Sequence, residues 1–165
     1  MVAMRELRGD STAAGRRFAI VVSSFNEEVT SGLLAGALET LADAQVAEAD
    51  VDVIHVPGAF EIPLTAMRLA ETGRYAAVIC LGCLIKGETM HFEYIAESAA
   101  HGIMEASAVT GVPITFGVLT TLTDGQALAR ATPGPENKGR EAALAAVQMA
   151  TLLPLIESES SGGVR

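Results

Sequence analysis

A chain of 165 residues, half of them apolar and 19% charged, can bury a core of its own and fits one domain, residues 1–165. Its net charge of −9 and lack of a basic stripe argue against a nucleic-acid partner, and an anionic ligand would need positive charge gathered locally. Trp is absent and aromatics are few, so the core must be built from Ala, Val, Leu and Ile, and the apolar excess points to a homo-oligomer.

Residues 1–16 read as a flexible polar lead-in with no apolar signal-peptide core, which predicts a cytoplasmic protein. FAIVV (18–22) is a short apolar run that predicts a strand, and SSFN breaks it. Residues 27–46 then set Val29, Leu33, Leu34, Ala37, Leu38 and Leu41 at helical spacing. VDVIHV (51–56) is a second strand, PGAF turns the chain, and residues 61–72 form a helix that Gly73 ends. AAVICLGCLI (76–85) is a third strand, and as the longest apolar stretch it is far short of the roughly 20 residues a membrane helix needs. A helix from about His91 to Val109 follows, then a strand PITFGVL (113–119) and a short helix around Gln126–Ala131. TPGPEN interrupts before a closing helix over 138–156, which Pro154 should kink or end, and residues 157–165 read as a flexible tail.

Strand–helix alternation predicts right-handed βαβ units, hence an α/β fold: a three-layer α/β/α sandwich around a mostly parallel, flavodoxin-like sheet. The unbroken apolar runs 18–22 and 76–85 suit strands buried on both faces. Ligands of such folds bind outside the carboxyl ends of the strands. The segments to read for chemistry are therefore Ser23–Asn26, Pro57–Glu61, Lys86–His91 and Thr120–Asp124.

In KGETMHFEY (86–94), Gly87 permits a tight turn, Thr89 lies near a helix N-cap whose free N–H groups favour an anion, and His91 opens the helix. Imidazole moves protons near neutral pH, so His91 is either a proton carrier or a solvated surface residue. Glu88 would compete with an anion unless it points away. Phe25, directly after the first strand, either stacks on a planar heterocycle or packs back on the first helix. Arg130 and Lys138 are either surface charges or the local positive charge an anion would need. His55 reads as a packed or interface residue and His101 as an inert surface residue.

Cys80 and Cys83, three apart in a strand, face opposite sides and cannot form a redox pair, and no second Cys or His pair completes a zinc site. Dinucleotide, P-loop, zincin and nucleophile-elbow motifs are absent. The first and third strands end in Ser23, Ser24 and Leu84, Ile85, not in the acidic residues of a response-regulator receiver.

SFNEEVTSGLLAGAL, VPGAFEIPL, LGCLIKGETMHFEYIAESAAHGI, GVPITFGVLTT and NKGREAALAAVQMA, in that order, resemble the 6,7-dimethyl-8-ribityllumazine synthases of riboflavin biosynthesis, from about Phe18 to Leu153. VPGAFEIP together with GET-x-HF is specific to that family. The resemblance implies a transferase that condenses 5-amino-6-(D-ribitylamino)uracil with 3,4-dihydroxy-2-butanone 4-phosphate, with no metal or organic cofactor. It implies that Phe25 stacks on the pyrimidine, that Ala59, Phe60 and Glu61 hold the pyrimidine and ribityl chain, and that Cys83, Leu84 and Ile85 line the pocket. Glu88 and Thr89 match the phosphate-binding turn and His91 the proton carrier. Phe116 and Arg130 match residues given by a neighbouring subunit, and Lys138 lies in the NKG motif at the same site. Sites between subunits imply a homopentamer, with a 60-subunit icosahedral shell as its larger form, and the pathway adds riboflavin synthase as a partner. Ser24 stands where an arginine is common, Cys83 where a threonine or alanine is common, and TPGPEN where relatives have a glycine- and lysine-rich turn. The alternative reading is a non-catalytic flavin- or lumazine-binding protein, or a shell-forming scaffold, on the same fold.

Overall fold

Four parallel strands organise the molecule. The computed structural model describes residues 3–160, with β1 (Phe18–Ser23), α1 (Glu27–Asp43), β2 (Val51–Val56), α2 (Ile62–Glu71), β3 (Ala77–Ile85), α3 (His91–Thr110), β4 (Ile114–Thr121), α4 (Asp124–Ala129) and α5 (Lys138–Ser160). The strand order is β2-β1-β3-β4, every pairing parallel, which is the flavodoxin-like arrangement. The two apolar runs are its central strands: β1 is buried throughout, and β3 throughout except at Ile85. The edge strand β2 leaves Val53 and His55 exposed.

Each sheet face has its own core. Phe18, Ile20, Val22, Ile79, Leu81 and Cys83 pack under α1 and α5. Ala19, Val21, Val78 and Cys80 pack under α2 and α3, with Ile62 and Ile103. The strand period of two thus sends the two cysteines to opposite cores. Helix α5 meets this core with Ala142, Ala143, Ala146 and Ala150, side chains small enough to seat it close to its neighbours.

The chain runs from β1 outward to β2, then returns across β1 to β3. This reversal opens a crevice between the carboxyl ends of β1 and β3. Asn26 sits there in the left-handed region, at φ 59°, and its side-chain amide donates to the Cys83 carbonyl at 3.0 Å. At the opposite end of the sheet, the Tyr75 hydroxyl donates to Asp52 at 2.6 Å, and Arg17 pairs with the same carboxylate at 3.2 Å.

Several boundaries differ from the sequence reading. Helix α5 passes through Pro154 and runs to Ser160, because one missing N–H is tolerated where the rest of the helix is already packed. The expected tail is therefore helical as far as Ser160, and residues 161–165 lie outside the described residues. Part of the lead-in is also held: the Asp10 amide donates to Thr151 Oγ1 at 2.7 Å, and the amide of buried Ala13 to the Ala44 carbonyl at 2.9 Å. Helix α4 begins two residues earlier than expected because Thr123 caps it, accepting from the Gln126 amide at 3.1 Å. Among the described residues no helix is long and apolar enough to cross a membrane.

Candidate functional site

The chain carries two separate cavities beside residues of interest. The first, about 740 Å³, lies at the crevice end of the sheet. The backbone of the first loop continues the β1–β2 pairing, with the Ser24 amide donating to the Val56 carbonyl and the Phe25 amide to the Pro57 carbonyl. That pairing holds Phe25 at the cavity wall, 65% exposed, so its ring does not pack back on α1. The opposite loop makes one 3-10 turn over Ala59–Glu61, which buries Ala59 and leaves Phe60 64% exposed on the same wall. Leu84 and Ile85 at the end of β3 contribute apolar surface, as do Phe92 and Ile95 of α3.

His91 is the first residue of α3 and lies exposed in this wall, with Gly87 and Thr89 beside it. Met90, not Thr89, takes the N-cap position, and no side chain caps the helix among the described residues. The first-turn N–H groups of α3 therefore remain free for an anion. Glu88 is exposed and does not line the cavity. Lys86 is turned to Glu93, 3.4 Å away.

The second cavity, about 320 Å³, runs along β4 against the start of α5 and is lined by Phe116, Arg130 and Lys138. The Arg130 guanidinium donates to the Gln126 carbonyl at 2.9 Å, and Lys138 Nζ lies 2.6 Å from Glu141. The backbone couples the two cations: the Lys138 amide donates to the Arg130 carbonyl at 2.8 Å. None of these three residues lines the first cavity.

The sequence profile of the 6,7-dimethyl-8-ribityllumazine synthases matches residues 15–154. The chain belongs to that family. It is 53% identical over 151 residues to the 6,7-dimethyl-8-ribityllumazine synthase of Salinibacter ruber, covering 92% of this chain and 97% of the relative. To 6,7-dimethyl-8-ribityllumazine synthase 1 of Caulobacter vibrioides it is 55% identical over 144 residues, or 87% of this chain and 94% of the relative.

Against the residue set expected for a lumazine synthase, the first cavity gathers Phe25, Ala59, Phe60, Glu61, Leu84, Ile85, Thr89 and His91. The second gathers Phe116, Arg130 and Lys138. Cys83 is in neither: its thiol is buried in the core under α1 and α5, and burial, then the charge of Asp124, pushes its pKa up to about 11. Only its carbonyl reaches the crevice, through Asn26. His55 and His101 are exposed and line neither cavity. The sequence reading missed Phe92 and Ile95 as wall residues. Ile95 follows His91 by four positions, and that helical repeat was the available signal.

Proposed function

We propose that this chain is a lumazine synthase that condenses 5-amino-6-(D-ribitylamino)uracil with 3,4-dihydroxy-2-butanone 4-phosphate, giving 6,7-dimethyl-8-ribityllumazine, phosphate and water. The observation that carries the reading is His91, at the uncapped start of α3, in the wall of a cavity flanked by the exposed rings of Phe25 and Phe60. The pyrimidine stacks on Phe25. The segment Ala59–Glu61 holds the pyrimidine and ribityl chain, with Leu84 and Ile85 as the apolar floor. The substrate amine adds to the ketone and water leaves to form a Schiff base, phosphate then departs, and the second amine closes the ring with loss of water. These steps need protons moved at the reacting amine and carbon. The His91 imidazole is placed to take and return them, while the cavity supplies orientation.

A phosphate carried by this substrate must be neutralised by an acidic protein. Thr89 and the free N–H groups of α3 supply part of what it needs, and Glu88 contributes through the backbone of its turn. Arg130 and Lys138 supply the charge from the second cavity of a neighbouring copy, together with Phe116, so that each site is completed between two subunits. The separation of the two cavities within one chain supports this arrangement. A homopentamer of single-domain subunits, the assembly that the family resemblance implies, satisfies it. A 60-subunit shell and association with riboflavin synthase in the cytoplasm are its extensions.

The deciding experiment mixes purified protein with both substrates and follows lumazine absorbance. A rate well above the uncatalysed condensation is expected. A folded oligomer that gives no acceleration would refute the enzymatic reading and favour a binding or scaffold role.

A further inference from the structure

Asn137 stands outside both cavities, yet it is among the largest side chains that are fully buried, at 2% exposure. A buried carboxamide needs partners, and this one has three. Its Nδ2 donates to the Gly32 carbonyl of α1 at 3.1 Å and to the Thr132 carbonyl at 3.0 Å, and its Oδ1 accepts from the Arg140 amide at 3.1 Å. The last bond caps α5. The first reaches across 105 residues of sequence to another helix.

Helix α1 is cut to receive it. A methyl group added at Gly36 would collide with the Asn137 carboxamide, and one at Gly32 with the Ala131 carbonyl. From the other side, a methyl at Gly139 would collide with the Leu33 carbonyl. The three glycines are needed here for close approach, since none has a positive φ.

The segment pinned in this way, residues 130–138, begins and ends with the two cations of the second cavity. Its ends are joined by the bond from the Lys138 amide to the Arg130 carbonyl, and Asn137 ties it at Thr132 in between. The Arg130 and Lys138 side chains are themselves exposed or half-buried, so the backbone beneath them sets where they project. We propose that Asn137, seated in the Gly32–Gly36 notch of α1, is a positioning residue that holds Arg130 and Lys138 in register for the substrate phosphate. The inference rests on the function proposed above for those two cations.

Asn137→Ser separates the two jobs of this side chain. Serine still caps α5 but is too short to reach the Gly32 carbonyl. Gly36→Ala displaces the carboxamide without touching it chemically. Both variants should raise KM for the butanone phosphate about tenfold, with kcat and KM for the pyrimidine amine within about twofold of wild type. Both should also speed hydrogen exchange of the Lys138 amide about tenfold. A lower kcat with unchanged KM, as loss of folded protein would give, overturns the proposal, and so does a wild-type Asn137→Ser variant. Should the wild type form no lumazine, the proposed function fails on its own. Titration with inorganic phosphate and exchange at Lys138 then judge the clamp without turnover: about tenfold weaker phosphate binding and faster exchange in both variants uphold it, and unchanged values overturn it.

Discussion

The cavity that holds His91 and the cavity that holds Arg130 are built on different physical plans. The one at the β1–β3 crevice is walled by phenylalanines and aliphatic strand ends, with His91 at the start of a long helix. The one along β4 holds two cations on a segment tied down by backbone and carboxamide bonds. The first suits a flat, mostly uncharged ring and a proton transfer, the second a doubly charged phosphate.

The comparison breaks most visibly at its two poles. His91→Ala should lower kcat by about 100-fold or more while leaving the oligomer intact by light scattering. Arg130→Ala should act on the other kinetic constant, raising KM for the butanone phosphate by roughly 10- to 100-fold with a smaller change in kcat. Equal effects of both variants on both constants would show that the cavities do not divide the work. Phe25→Ala should raise KM for the pyrimidine amine by up to about tenfold and leave the phosphate substrate's KM alone.

Mixing sharpens the same contrast. Assayed with the butanone phosphate well below its KM, oligomers assembled from equal amounts of His91→Ala and Arg130→Ala chains should recover about a quarter of the wild-type rate, since about one interface in four then pairs two intact halves. No recovery would place both halves of each site in a single chain.

The smallest effect belongs to the far end of the sheet. The hydrogen bond from Tyr75 holds the Asp52 carboxyl below its ordinary range; burial opposes it, and Arg17 and Arg74 each add a smaller lowering effect. A lowered folded-state pKa contributes stability above the unfolded carboxylate pKa, and that contribution is lost as pH falls through the folded value. Tyr75→Phe should therefore lower the melting temperature by a few degrees at neutral pH, with the gap to wild type closing under acid, and leave both kinetic constants unchanged.

Much of this was legible in the residues. The strands buried on both faces announce themselves as unbroken apolar runs, and Gly73, at φ 69°, ends α2 as read. The loops after β1, β2 and β3 meet at one cavity because the strand order puts them there. Other features were not read correctly. The Thr123–Gln126 cap stands in the sequence as a T-x-x-Q spacing, a signal that the helix begins at Asp124 and not at Gln126. Pro154 suggested a kink in α5 or its end, and the helix continues past it because packing of the preceding turns outweighs one missing bond. Cys83 was expected in the cavity wall, yet a strand sends alternate side chains to opposite faces, and Leu84, buried against α2 and α3, faces the cavity instead. The role of Asn137 was invisible, because it depends on a helix 105 residues earlier in the chain.

That distance also has a consequence for synthesis. A ribosome makes every strand, up to Thr121, before it makes α5. The crevice, with His91 and Phe25, can assemble on the nascent chain while the α1 notch still stands open. Until Asn137 and the alanines of α5 leave the exit tunnel, one whole face of the sheet has only α1 and α4 to shield it from water. Helix α5, translated after every strand, is therefore the element that seals this face, and a chain released before it is complete would carry its first cavity on an unsealed, aggregation-prone sheet.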